Sequence, residues 1–179
     1  MNQPTVVSVS SKPTPGVGKV PRDEILLVAG LGVEGDYHFG ATVRHRSRAA
    51  KDPAQPNLRQ VHLIHQELFT ELADEAIPVK AAAMGENITT AGIALLELPV
   101  GTRLHLGGEA VVELTGLRNP CNQLDAIDPR LLPAVARRQL DGSIERKGGV
   151  MAVVITGGLV RPGDVIRVVH GSGGPLQPV

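Results

Sequence analysis

Aromatic side chains and cysteine are almost missing. The chain has no Trp, one Tyr (Tyr37), two Phe (Phe39 and Phe69) and a single Cys, at position 121. One cysteine excludes an intramolecular disulfide and a cysteine-ligated iron–sulfur cluster, and it suits a reducing compartment, so a cytoplasmic location is expected. So few aromatics leave no platform for stacking bases, which argues against a reader of single-stranded nucleic acid. Charge of one sign is also lacking. Lys plus Arg and Asp plus Glu both total 18, so no overall field draws the chain to nucleic acid or an anionic membrane, and neither is expected as a partner. An anion site has to come from local clustering. Long apolar runs are missing too: the run at 150–155 falls far short of the about 20 residues of a membrane span. Near the start, Val6–Val7 gives way to polar residues and prolines, so no secretory h-region is expected.

The 179 residues suit one domain, with 42% hydrophobic and 20% charged residues. The core must be built from Val, Leu, Ile and Ala. With 21 Gly and 14 Pro, turns are frequent, as short strands joined by loops require. Alternation or short apolar runs predict strands over 6–10, 25–28, 61–64, 103–106, 110–117, 150–155 and 165–169, and a turn running into a strand over 85–90. Residues 107–108 (Gly-Gly) close a hairpin. Leu68, Phe69, Leu72 and Ala73 at helical spacing predict an amphipathic helix over 66–76. A second helix is predicted over 129–140, with Asp128 as N-cap and Pro129 at its first position. Residues 12–19 (KPTPGVGK) read as a connector, 30–40 as a glycine-punctuated loop, and 44–56 as a mobile excursion. Many short strands with two or three short helices predict a mainly β fold, a β-barrel with helical additions. The expected layout is an N-terminal strand and connector over 1–19, a domain over 20–169, and a flexible tail over 170–179.

An ordered set of fragments carries a resemblance. It comprises Gly35-Asp36-Tyr37-His38, Arg59-Gln60-Val61, Gly85-Glu86-Asn87-Ile88-Thr89, Leu98-Pro99-Val100-Gly101, Pro120-Cys121, Gly149-Val150 and Gly163-Asp164. Together they resemble the MOSC domain, the family named for the C-terminal domain of molybdenum cofactor sulfurases, and the length suggests its stand-alone bacterial branch. The resemblance implies a closed β-barrel of complex topology. It implies either binding of the molybdenum cofactor with reduction of N-hydroxylated compounds, or sulfur transfer as a carrier. Both activities centre on one cysteine, here Cys121.

The residues support such chemistry. A thiolate is a soft ligand suited to molybdenum and can also hold a persulfide. Arg118 lies close in sequence to Cys121, and loop exposure favours the thiolate. The alternative is a buried structural cysteine. A pterin phosphate and its polar edges need backbone N–H groups, amide or hydroxyl side chains, and cations. Gly85, Glu86, Asn87 and Thr89 offer the first kinds, and Arg118, Arg146 and Lys147 the last. The alternative for Asn87 is an Asx-turn, and for Arg146 and Lys147 a solvated loop. His38 is a candidate proton donor at the pocket, while Asp36 is expected to fix the Gly35 turn. Asp36 with His38 does not amount to a zinc site, and His62 and His65 should face different ways. The basic run Arg44-His45-Arg46-Ser47-Arg48 is either a solvated loop or a docking surface. No P-loop, dinucleotide fingerprint or flavin signature is present, and no pyridoxal phosphate is expected in this chain. The expected partners are a small-molecule substrate and either a separate electron-donor reductase or a cysteine desulfurase. A storage domain without turnover is a third reading. The oligomeric state is left open.

Overall fold

A computed structural model describes residues 3–44 and 46–179. Four strands open the chain: β1 (Thr5–Ser11), β2 (Val20–Arg22), β3 (Ile25–Val28) and β4 (Gly32–Val33). The short helix α1 (Arg46–Ala49), β5 (Val61–His65), α2 (Glu67–Asp74) and β6 (Ile88–Ala91) follow. Next come β7 (Arg103–Leu106), β8 (Ala110–Leu117), α3 (Leu131–Val135), β9 (Ala136–Arg138), β10 (Ile144–Arg146), β11 (Val150–Thr156), β12 (Gly158–Val160) and β13 (Ile166–Val169). The large mixed sheet has the order β13-β7-β8-β11-β5-β6-β1-β2, beside a three-stranded sheet β12-β3-β4 and the hairpin β9–β10.

β5 explains much of the architecture. Its run VHLIH is buried almost throughout, as a strand covered on both faces requires. Leu63 belongs to the core of the large sheet with Val6, Ile88, Leu104, Leu114 and Val150. Ile64, pointing the other way, joins a second core under the helices with Leu68, Leu72, Met84, Leu124, Leu131 and Val135. β5 and β6 run parallel, so the chain must cross over between them, and α2 supplies that crossover. No helix among the described residues is long and apolar enough to cross a membrane.

The mainly β class stands, no sheet among the described residues is closed into a barrel, and two other expectations need correction. One edge of β1 carries β6; the other is divided between β2, over Val9–Ser11, and the residues before β13. There an isolated bridge joins Thr5 to Val165, with the N–H groups of Val6 and Ile166 donating to the Asp164 and Pro4 carbonyls. The helix expected over 129–140 is only Leu131–Val135, because the chain turns extended at Ala136 (φ −136°) and Asp141-Gly142 folds it back as the β9–β10 hairpin; Pro133 sits in the first turn of the helix, where its missing N–H is no loss. Gly142 sits at φ +84°, where glycine has no steric penalty. Asp128 accepts from the Arg130 N–H just ahead of that helix. Finally, the tail is packed rather than flexible. Leu176 is buried, and β8 is hydrogen-bonded to the tail through the Leu117 N–H to the Gln177 carbonyl.

Candidate functional site

A cleft opens where the 12–19 connector passes the turn after β4 and the chain leaving β8. Its outer part, about 390 Å³, is lined by Lys12, Thr14, Gly16, Lys19, Tyr37, His38 and Gln123. An inner recess of about 100 Å³ adds Arg59, His62, Gly85, Asn87, Arg118, Asn119, Cys121 and Met151. Gly16, Lys19, His38 and Gln123 line both, so the two are continuous.

β8 delivers the chain to Arg118, whose N–H donates to the Gly149 carbonyl. Cys121 follows in extended backbone, half-buried, and its carbonyl accepts from the Leu124 N–H to start a 3₁₀ turn over Asn122–Ala126. Gly148 and Gly149 make this junction possible. A Cβ on Gly149 would lie 2.2 Å from the Leu63 carbonyl oxygen, and one on Gly148 would lie 3.1 Å from Pro120 Cγ and 3.5 Å from Arg118 Nη1.

The Arg118 side chain is buried, with 8% of its surface exposed, and its Nη1 has no hydrogen-bond partner. Burial lowers its pKa, while the charges of Cys121 and Glu86 partly restore it. Burial, with the charges of Arg48 and Arg118, lowers the Arg59 guanidinium to about 10; Cys121 pulls the other way. Among the described residues neither arginine enters an ion pair. Desolvating cations outside an ion pair is costly, and an anion in the recess would offset that cost. His62 faces the same space, and burial followed by the Arg118 charge holds its pKa well below the ordinary 6.5. It is therefore a neutral imidazole whose Nε2–H donates to the Gly148 carbonyl at 2.8 Å.

Behind the recess lies a polar lock. Asp36 Oδ2 accepts from Lys19 Nζ at 2.5 Å, the Lys12 N–H at 3.1 Å and Asn87 Nδ2 at 3.2 Å, while Oδ1 accepts from the His38 N–H. Burial raises the Asp36 pKa, but the Lys19 charge and these donors outweigh it and hold the carboxyl below its usual value. Asn87 also accepts from the His62 N–H and donates to the Ser10 carbonyl. Its side chain thus ties three segments together. Glu86 is 1% exposed; one oxygen accepts from the Ala82 N–H and the Thr89 hydroxyl, and the other has no partner. Burial raises its pKa.

Of the residues singled out from the sequence, Cys121, His38, Gly85, Asn87 and Arg118 come together in the recess. Glu86 and Thr89 stand behind it. Arg146 reaches only its rim, donating to Asn119 Oδ1 at 3.2 Å. Lys147 is turned away to pair with Glu71 at 2.9 Å. Arg59, His62, Lys19 and the Gly16–Gly18 wall were not anticipated as site residues. Arg59 stood in one of the quoted fragments, and the basic-and-glycine composition of KPTPGVGK was the other available signal. His62 and His65 do face different ways, as expected, since only His62 lines the recess while His65 lines a separate groove beside Glu67 and Glu71. His45 of the basic run lies outside the described residues; Arg48 bears on the site through its charge on Arg59. No group of three His, Cys, Asp or Glu side chains suited to a metal occurs among the described residues.

Fold and site define a mainly β domain with a cationic recess around one cysteine. Residues 34–167 match the MOSC domain, and the chain belongs to that family. The crystal structure of the YuaD protein from Bacillus subtilis is similar over 96% of this chain and 100% of its own, with a TM-score of 0.75 and 23% identity. YiiM from Geobacillus stearothermophilus (TM-score 0.68, 21% identity) covers 97% of this chain and 79% of its own. YiiM from Escherichia coli (TM-score 0.59, 23% identity) covers 96% and 72%. No curated protein matches the chain.

Proposed function

We propose that this MOSC domain binds the molybdenum cofactor with Cys121 as metal ligand and serves a reductase of N-hydroxylated compounds. The observation that carries the reading is the unpartnered Arg118 Nη1 in a recess shared with Arg59 and Cys121. The residues present fit the group: a thiolate for a soft metal, two guanidiniums outside any ion pair among the described residues for a phosphate or oxo-anion, and an outer cleft of a size typical for small-molecule sites. When bound, the cofactor supplies two-electron reduction at molybdenum. Arg59 and Arg118 hold its negative charge in place. Neutral His62 fixes the Gly148 carbonyl and leaves the recess free of a further cation. His38, lining both cavities, is placed to hand a proton to a substrate entering from the outer cleft. The bridge from Thr5 to Val165 supports a barrel form of the sheet around this site.

In this reading electrons come from a separate reductase, since the sequence carries no flavin or dinucleotide signature. The test is turnover of an N-hydroxylated base by the molybdenum-loaded chain. Activity is expected with an artificial reductant and not with NADH or NADPH alone. Direct NADH-driven turnover would overturn the need for a partner, and no turnover despite full loading would overturn the reductase. A second reading, a sulfur carrier loaded by a cysteine desulfurase, is favoured by a half-buried lone thiol that lines the recess beside Arg118.

A further inference from the structure

We propose that the Cys121 recess takes a small sulfur oxyanion that bears a sulfane sulfur, with thiosulfate the simplest member, and transfers that sulfur to Cys121 as a persulfide. The inference rests on the carrier reading only in placing a persulfide on Cys121. It requires neither molybdenum nor a desulfurase.

Three features of the recess select this ligand class. The first is charge. Arg118 is almost wholly buried with Nη1 unpartnered and feels the Glu86 charge only through space, Arg59 lies within reach of its field, and among the described residues neither enters an ion pair. A dianion would neutralise both. The second is size. The recess holds about 100 Å³ beside Cys121, enough for a tetrahedral oxyanion with one added sulfur. The third is the proton inventory. Sulfite leaves without a proton, so the transfer makes no demand on His38 or on Asp36, which is held in its pair with Lys19.

The transfer balances without an outside oxidant. The Cys121 thiolate attacks the outer sulfur, a new S–S bond forms at Sγ, and the donor's own S–S bond breaks. Its electron pair departs with sulfite, whose charge stays between Arg59 and Arg118 until release. The product is a Cys121 persulfide, so the reaction downstream must be sulfur delivery to a nucleophilic acceptor.

The full chain, purified from a host unable to make the pterin, tests this with thiosulfate as probe. Intact mass should rise by one sulfur atom, equimolar sulfite should appear, and sulfate should slow both. Cys121→Ser should abolish the gain. Arg118→Gln, and the less buried Arg59→Gln as a second variant should the first not fold, should each slow loading about tenfold or more, the usual scale for a charge-assisted contact to an anion. No mass gain from thiosulfate while a desulfurase with cysteine does load Cys121 would overturn this inference and leave the carrier reading standing. Loading by neither would remove both. Loading that ignores both arginine variants would overturn the anion cradle.

Discussion

A guanidinium with an unpartnered nitrogen beside the chain's one cysteine sets stability against ligand binding. With no anion present, replacing Arg118 by Met removes a desolvated charge and keeps most of the side-chain volume. The ligand-free R118M chain is expected to be more stable than the wild type by about 1 kcal/mol or more, read as a higher Tm, and to lose anion and cofactor retention. A lower Tm would mean that the guanidinium has a partner in solution. Asp36 is the opposite case. It is fully buried and accepts from Lys19, Lys12, Asn87 and His38. Asp36→Asn leaves Lys19 buried without its counter-charge and should cost about 3–5 kcal/mol in chemical denaturation. The exposed pair Lys147–Glu71 serves as comparison, and Lys147→Met should cost under about 1 kcal/mol.

At the scale of elements, the approach of β11 to β5 depends on Gly149, at φ +92° and with a Cβ position 2.2 Å from the Leu63 oxygen. Gly149→Ala is expected to destabilise by about 2–4 kcal/mol through strain and a forced separation of the strands. Because Arg118 and His62 lean on the same two glycines, ligand retention should fall with it; an unchanged denaturation midpoint would contradict the packing described. Much at this scale was legible in the sequence. The strands Ile25–Val28, Arg103–Leu106 and Ala110–Leu117 stand where alternation and short apolar runs placed them. Local pattern suffices there because one face of each strand meets the core. It failed where distant residues decide. Residues 129–140 have helical composition, yet the Asp141-Gly142 turn prevails by pairing Ala136–Arg138 with Ile144–Arg146, and that dipeptide was a readable signal. The tail is polar and glycine-rich, but Gly116 leaves space for it: a Cβ there would lie 2.3 Å from the Gln177 oxygen. Of the site, the cysteine and the Gly85-Glu86-Asn87 turn were legible. Arg59 and His62 were not, since only the pairing of β5 with β11 and β6 brings them to Cys121.

For the whole molecule, buried ionisable groups set the response to pH. His62 and His65 have folded pKa values below 6.5, each first through burial. A depressed histidine contributes stability that is present above its unfolded value of 6.5 and lost as pH falls toward the folded one. Glu86, raised above 4.5 by burial, works in the other sense: its contribution is present below 4.5 and lost as pH rises through the folded value. Between about pH 7.5 and pH 5 the histidines should dominate. Tm should therefore drop as the medium is acidified, and His62→Gln should flatten that slope whatever it does to Tm at neutral pH. A slope identical in the variant would place His62 in contact with water.

The central claim is that the recess around Cys121 holds a ligand through that sulfur and its arginines, and that Cys121 matters little to folding. The most direct measurement is the molybdenum and pterin content of wild-type chain and Cys121→Ala, both purified from a molybdenum-competent host, with melting curves recorded on the same samples. The account predicts near-stoichiometric molybdenum and pterin in the wild type and molybdenum lost from the variant, with Tm nearly unchanged because a half-buried loop side chain contributes little packing. Molybdenum retained by the folded Cys121→Ala chain would contradict it.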